Sequence, residues 1–266
     1  MGGYQVMTAA INLANPGLAN RMKTYLSCLT CYDEVRTLKD SDAFLFSSVE
    51  VATPEEKKEL PCFDNWRFHI EEDEQQYLKD YAHIDLLYEE TPEYFKEKYL
   101  NAIKKLKINP EILGYVKDFD RENDLSNVIG LHIRSWYCSR NIWHNNKLFE
   151  DAIDQLDSDK KIFLCGDNDD VLEQFQNKYG DRIITHAQER YNHPHQAESG
   201  HTDSFQTNAD ALCDLLILSK CATIVGTYAS TFTEVAWWLG DCKPKVIVPD
   251  PPNVPQEFRD RIFKRL

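Results

Sequence analysis

Ser230, Thr231 and Phe232 stand at the junction of two apolar segments, and their types suit an anion site. Residues 211–240 read ALCDLLILSKCATIVGTYASTFTEVAWWLG, which predicts an apolar helix, a short strand over 222–225, a sharp exit at Gly226 and a second helix. The hydroxyls of Ser230 and Thr231 and the unpaired N–H groups of that helix's first turn would point at one spot. The helix dipole favours negative charge there, so a phosphate needs no lysine. The same pair also suits plain helix capping. A second segment shifts the balance. Residues 128–140, VIGLHIRSWYCSR, are an apolar run ending among His132, Arg134 and Arg140. This predicts a buried strand that delivers an arginine to its C-terminal edge, where open α/β sheets bind ligands and where a guanidinium fork matches phosphate oxygens.

The elements that must hold these residues alternate. Residues 161–170, KIFLCGDNDD, predict a third strand ending at Asp167, followed by a helix over 171–179 and a strand over 182–185. Nearer the N-terminus, a strand over 4–12, a helix over 21–36 and a strand over 43–51 are expected. In residues 61–74, PCFDNWRFHIEEDE, aromatic and polar side chains alternate, as they do in a half-buried strand and also on a surface that packs sugar rings. Residues 92–109 read as an amphipathic structural helix. The polar stretch 118–126, DFDRENDLS, lacks apolar periodicity and is expected to be the interdomain linker.

Taken in order, these segments resemble the donor-binding half of the fucosyltransferase-like glycosyltransferases of GT-B fold. The resemblance rests on His132-Ile133-Arg134-Ser135, Gly166-Asp167-Asn168-Asp169 and Ser230-Thr231-Phe232. It rests also on Asn15-Pro16-Gly17-Leu18-Ala19-Asn20-Arg21, similar to the family's glycine loop before the first helix. Where the family pattern carries a second arginine after Arg134, this chain has Ser135, so Arg140 and Arg190 are the expected replacements. The implied fold is α/β, with two facing Rossmann-like domains. Residues 1–120 would bind the acceptor and residues 121–266 the sugar nucleotide, with a helix over 255–266 returning to the first domain.

The resemblance implies an inverting, metal-independent transfer of sugar from a nucleoside diphosphate sugar to a glycan hydroxyl. The donor-binding set is His132, Arg134, Asp167, Asp214, Thr227, Ser230, Thr231 and Phe232. Catalysis would use Arg134, Arg140 and Arg190 on the leaving diphosphate, with Asp64 or Asp73 as base toward the acceptor hydroxyl. Asp64 lies between Phe63 and Trp66, and Asp73 ends the acidic triplet that starts at Glu71; either setting would raise a carboxylate's pKa. The donor is expected to be UDP-xylose or GDP-fucose, with a lean to the former. That lean follows from a further resemblance to the compact transferases of large algal DNA viruses. A catalytically silent glycan- or nucleotide-binding protein on the same fold is the alternative.

Charge and composition narrow the partners. A net charge of −14 over 266 residues argues against nucleic acid or an anionic membrane as partner, while a local cationic cluster still serves a sugar nucleotide. The first residues show neither a long apolar core nor a basic flank, so no signal peptide or membrane anchor is expected and a cytosolic setting follows, with a luminal one open for a longer chain. The eight cysteines are expected to be reduced packing residues, the Cys28/Cys31 pair included. His186, His193, His195 and His201 lie in a polar loop expected to cover the donor rather than to bind metal.

Overall fold

The computed structural model describes residues 6–11, 17–63, 88–89, 91–134, 145–188 and 205–256. In the first half, strands β1 (Thr8–Ile11), β2 (Glu34–Thr37), β3 (Glu50–Val51) and β4 (Cys62–Phe63) form a parallel sheet in the order β3-β2-β1-β4. Among them lie helices α1 (Leu18–Cys31), α2 (Asp40–Leu45) and α3 (Glu56–Glu59). Helices α4 (Glu93–Lys105) and α5 (Pro110–Asn123) lead on to the second half.

The second sheet is also parallel, with order β7-β6-β5-β8-β9. Its strands are β5 (Ile129–Ile133), β6 (Ile162–Gly166), β7 (Ile183–Ile184), β8 (Thr223–Val225) and β9 (Lys245–Ile247). Helices α6 (Asn146–Asp154), α7 (Asp169–Tyr179), α8 (Phe205–Lys220) and α9 (Thr231–Leu239) alternate with them. A sheet covered on both faces wants continuous apolar strands, and β5 (IGLHI) is buried at every position. Side chains alternate across it. Ile129, Leu131 and Ile133 join Phe149, Ile153, Leu164 and Phe175 in one core, under α6 and α7. Gly130 faces the other way, so close to α8 that an added Cβ would lie 2.9 Å from Leu218 Cδ2. His132 shares that face by the two-residue period.

The larger core runs through both halves. Met22, Tyr25 and Leu26 of α1 and Phe95 and Tyr99 of α4 belong to the same buried cluster as Leu212 and Leu215 of α8 and Trp237 and Trp238 of α9. Tyr99 stacks on Trp238 at a centroid distance of 4.7 Å.

Three local expectations change. Residues 43–51 are not one strand: α2 occupies Asp40–Leu45, with Asp40 and Asp42 in its first turn, Phe46 makes an isolated antiparallel bridge to Ile108, and Glu50–Val51 pairs with β2. The first helix stops at Cys31 rather than 36, because Glu34–Thr37 pairs in register with Thr8–Ile11. Residues 118–126 are the last turns of α5 and a 3-10 turn, not an irregular linker. Their polar groups end the helix. Asp124 takes the left-handed conformation at φ 51°, and the Leu125 N–H donates to the Asp120 carboxylate at 3.2 Å. Phe119 also supplies an apolar anchor, its ring 5.8 Å from that of Phe163. The expected helix at 255–266 lies almost wholly outside the described residues.

Candidate functional site

From β5 the chain moves outward to β6 and β7, then returns to the opposite side of β5 as β8. The crevice above the carboxyl ends of β5 and β8 is therefore the switch point, the place where such sheets take ligands. Arg134 directly follows β5, and Thr227 follows Gly226 at the end of β8. One hydroxyl ties the two strand ends together. Thr227 Oγ1 donates to the His132 carbonyl at 2.9 Å and accepts from the Arg134 N–H at 2.9 Å. The Thr227 hydroxyl is thus spent on backbone, and it fixes the strand end from which the Arg134 side chain leaves.

Helix α9 opens over the same crevice. Ser230 occupies its N-cap position in extended conformation, φ −103° and ψ 116°, yet makes no side-chain capping bond. Simple capping is therefore not what its hydroxyl does. The turn before it strains at Ala229, whose φ of 53° is uncommon for a residue with a Cβ. Gly226, expected to permit the sharp exit, has another reason to be glycine. Its φ lies outside the left-handed region, whereas a Cβ there would meet Thr233 Cγ2 at 2.3 Å and Oγ1 at 2.7 Å. The missing side chain lets the first turn of α9 press against the end of β8.

His132 locks that turn in place. Its Nδ1 lies 2.9 Å from Thr233 Oγ1, and its ring stacks on Phe232 with centroids 4.7 Å apart and planes 23° from parallel. At 4% exposure His132 is a buried brace for α9. Arg134 is different. Its side chain is 34% exposed, and Nε is 3.9 Å from Asp167 Oδ2 at the end of β6, too long for a hydrogen bond but close enough to orient the guanidinium. His132, Arg134, Asp167, Thr227, Ser230, Thr231 and Phe232 thus gather at adjoining strand ends and at the start of α9.

Asp214 sits in a neighbouring cluster at the ends of β6 and β7. Its carboxylate accepts from Gln188 Nε2 at 2.7 Å and from Cys165 Sγ at 3.3 Å, and faces His186 Nδ1 at 3.3 Å. His186 Nε2 is also 3.8 Å from Asp210. His186, read from sequence as part of a covering loop, is buried between two carboxylates of α8. Asp64, Asp73, Ser135, Arg140, Arg190, His193, His195 and His201 lie outside the described residues.

The buried thiols of Cys28 and Cys213 behave as packing groups. Burial pushes Cys28 and Cys213 up to about 12, each aided by neighbouring groups that favour the neutral form: Cys31 for the first, Asp214 and Asp210 for the second. Among the described residues, no group of three or more His, Cys, Asp and Glu could hold a metal ion, and no helix is long and apolar enough to cross a membrane.

Reading the sequence did not reveal the polar seam between the halves. Arg21 Nε and Nη2 donate to Asp42 at 2.9–3.1 Å, Tyr25 OH donates to the same carboxylate at 2.7 Å, and Arg21 Nη2 reaches Asn208 of α8 at 2.8 Å. Lys23 Nζ donates to Glu234 Oε2 at 2.5 Å, and Trp238 Nε1 to Oε1 at 3.1 Å. Thr233 escaped notice as well. Only its distance of seven positions from Gly226 hinted at it, and a glycine by itself names no partner.

No family model and no curated protein sequence matches the chain. Solved structures do. The fucosyltransferase NodZ from Bradyrhizobium aligns over 94% of this chain and 98% of its own, with a TM-score of 0.58 at 19% identity. A second NodZ structure, an alpha-1,6-fucosyltransferase soaked with GDP-fucose, aligns over 88% of this chain and 93% of its own at TM-score 0.54 and 18% identity. FUT1 of Arabidopsis thaliana, in complex with GDP, aligns over 97% of this chain and 74% of its own at TM-score 0.53 and 14% identity. The fold is the GT-B type of these fucosyltransferases. Two parallel α/β sheets in sequence match the architecture that the motifs implied, at identities that speak to fold alone.

Proposed function

We propose that the chain is a glycosyltransferase that moves a sugar from a nucleoside diphosphate sugar to a hydroxyl of a glycan acceptor. One observation carries this reading: Arg134, the uncapped Ser230 and the first turn of α9 meet at the switch point of a parallel sheet. A diphosphate there would face a permanently charged fork and a row of N–H donors. Both bind more tightly as the leaving group gains charge, which is what lowers a barrier rather than merely binding substrate. Asp167 aims the arginine; His132 and Phe232 hold the helix start.

For the donor, the GDP and GDP-fucose of the solved NodZ structures support a guanosine nucleotide as the first to test, with UDP-xylose the competing choice. Inversion at the anomeric carbon requires a base near the acceptor hydroxyl, and Asp64 and Asp73 remain the proposed residues. Metal independence belongs to the same proposal, because Arg134, aided by Arg140 and Arg190, would carry the charge that a divalent ion neutralises elsewhere. A thermal-shift panel of GDP, UDP, CDP and dTDP tests the nucleotide, since binding raises Tm by mass action. Donor hydrolysis, followed with and without EDTA, then tests the chemistry. Stabilisation by a nucleotide without release of sugar would mark a silent binder, and activity restored only by manganese or magnesium would remove the metal-free mechanism.

A further inference from the structure

The Lys23–Glu234 pair is placed oddly for a mere structural link. Both side chains are 1% exposed, and the bond spans 211 positions of sequence, from α1 of the first half to α9 of the second. Glu234 lies four positions beyond Ser230, about 6 Å along the helix. A carboxylate in the first turn of a helix suits the dipole, but it also subtracts from the positive potential that a diphosphate would feel.

We propose that Lys23 and Glu234 set the potential of the phosphate site from behind, Glu234 lowering it and Lys23 restoring it. This rests on the donor-site reading above. Neither residue touches the donor in this account, so both are positioning residues, and the charge at the start of α9 is shared between the halves. Surrounding groups also contact both side chains, yet the sign of each substitution does not depend on them. Removing Lys23's charge leaves the region one unit more negative, and neutralising Glu234 leaves it one unit more positive. At about 10 Å and an effective dielectric of about 20, one unit charge acting on one phosphate charge changes affinity by roughly tenfold. Screening by salt would shrink the effect.

The test is calorimetric titration of GDP and UDP into wild type, Lys23→Met, Glu234→Gln and the double variant at low salt. The two single variants should move affinity in opposite directions: Lys23→Met weakens binding roughly tenfold, Glu234→Gln tightens it several-fold, and the double variant returns to within about threefold of wild type. Purely structural damage would weaken binding in both single variants, so a loss in Glu234→Gln, or no change, overturns the inference. Should Lys23→Met fail to fold, Glu234→Gln decides alone: it keeps the side chain's shape and one of the two acceptor oxygens, and a melting curve alongside shows whether losing the other acceptor, toward Lys23 or Trp238, has displaced α9. An Arg134→Ala control separates the two readings. If wild type binds neither nucleotide, or Arg134→Ala binds equally well, the donor site itself is misplaced and this inference falls with it.

Discussion

Gly226→Ala gives the sharpest check on how the start of α9 is held. The added methyl would lie 2.3 Å from Thr233 Cγ2 and 2.7 Å from its hydroxyl, so something must yield by about 1 Å. Thr233 cannot simply turn away. It is fully buried, β-branched and bonded to His132. The helix start must therefore lift from the end of β8, and overpacking of this kind costs about 1 to 3 kcal/mol. For a chain of this size, a loss of about 2 kcal/mol lowers Tm by roughly 4 to 8 °C. The same displacement moves the N–H groups proposed to face the diphosphate, so nucleotide affinity should fall together with stability. Differential scanning fluorimetry and calorimetry read the two effects. Gly114→Ala is the control: that glycine is exposed within α5 and has nothing within 4 Å of its built Cβ, so alanine there should stabilise by about 0.5 to 1 kcal/mol. Thr233→Ser removes the worst-placed methyl and should recover part of the loss in a double variant. Should Gly226→Ala match Gly114→Ala in both Tm and affinity, or Thr233→Ser bring no recovery, the contact does not seat the helix.

Three further expectations follow from the same geometry. Arg134→Ala should leave Tm within about 1 °C, as expected for a partly exposed side chain, while weakening nucleoside diphosphate binding and nearly abolishing transfer; unchanged turnover would remove it from the site. Asp64→Asn or Asp73→Asn should abolish transfer at unchanged nucleotide affinity, and near-normal rates in both would place the base elsewhere. Burial holds the phenols of Tyr25 and Tyr99 well above their ordinary 10.0, with Asp42 adding to the first. Those phenols stay neutral in the fold while the unfolded chain's tyrosines ionise. The stability they contribute is thus whole below about pH 10 and is lost as pH rises beyond it. Melts from about pH 9 to about pH 11 should show it, and a flat Tm over that span would contradict it.

Strands β5 to β8 of the second sheet were legible in sequence because β5 and β6 are continuous apolar runs, as a strand buried on both faces must be, whereas the edge strand β9, with Lys245 exposed, was not foreseen. Ile162–Gly166 and the helix after it fell close to where the pattern put them. The first half yielded less. Phe44, Leu45 and Phe46 look like strand by composition, but a short apolar run does not reveal its period; Phe44 and Leu45 close the helix that Asp40 and Asp42 open, and only Phe46 is extended. Glu34–Thr37, EVRT, carries three polar residues in four and shows as a strand only beside its neighbour β1. At the site, the residue types were readable and their purposes were not. His132, expected in the donor-binding set, also braces a helix through Thr233, 101 positions away, which no local spacing announced. Contacts over such separations leave no mark in local spacing.

The core that runs unbroken from α1 and α4 into α8 and α9 bears on how such a chain can be recombined. A second half grafted from another chain of this fold would arrive with its sheet intact and still fail. Tyr99 would lose its stacking partner, Lys23 would face whatever the newcomer carries at position 234, and Arg21 would miss Asn208. Each half expressed by itself would expose a large aromatic face, a surface prone to self-association. The exchangeable unit is consequently wider than a nucleotide-binding sheet. Any chimera that exchanges the second sheet must carry α1 and α4 along with α9, or redesign the facing residues as a set.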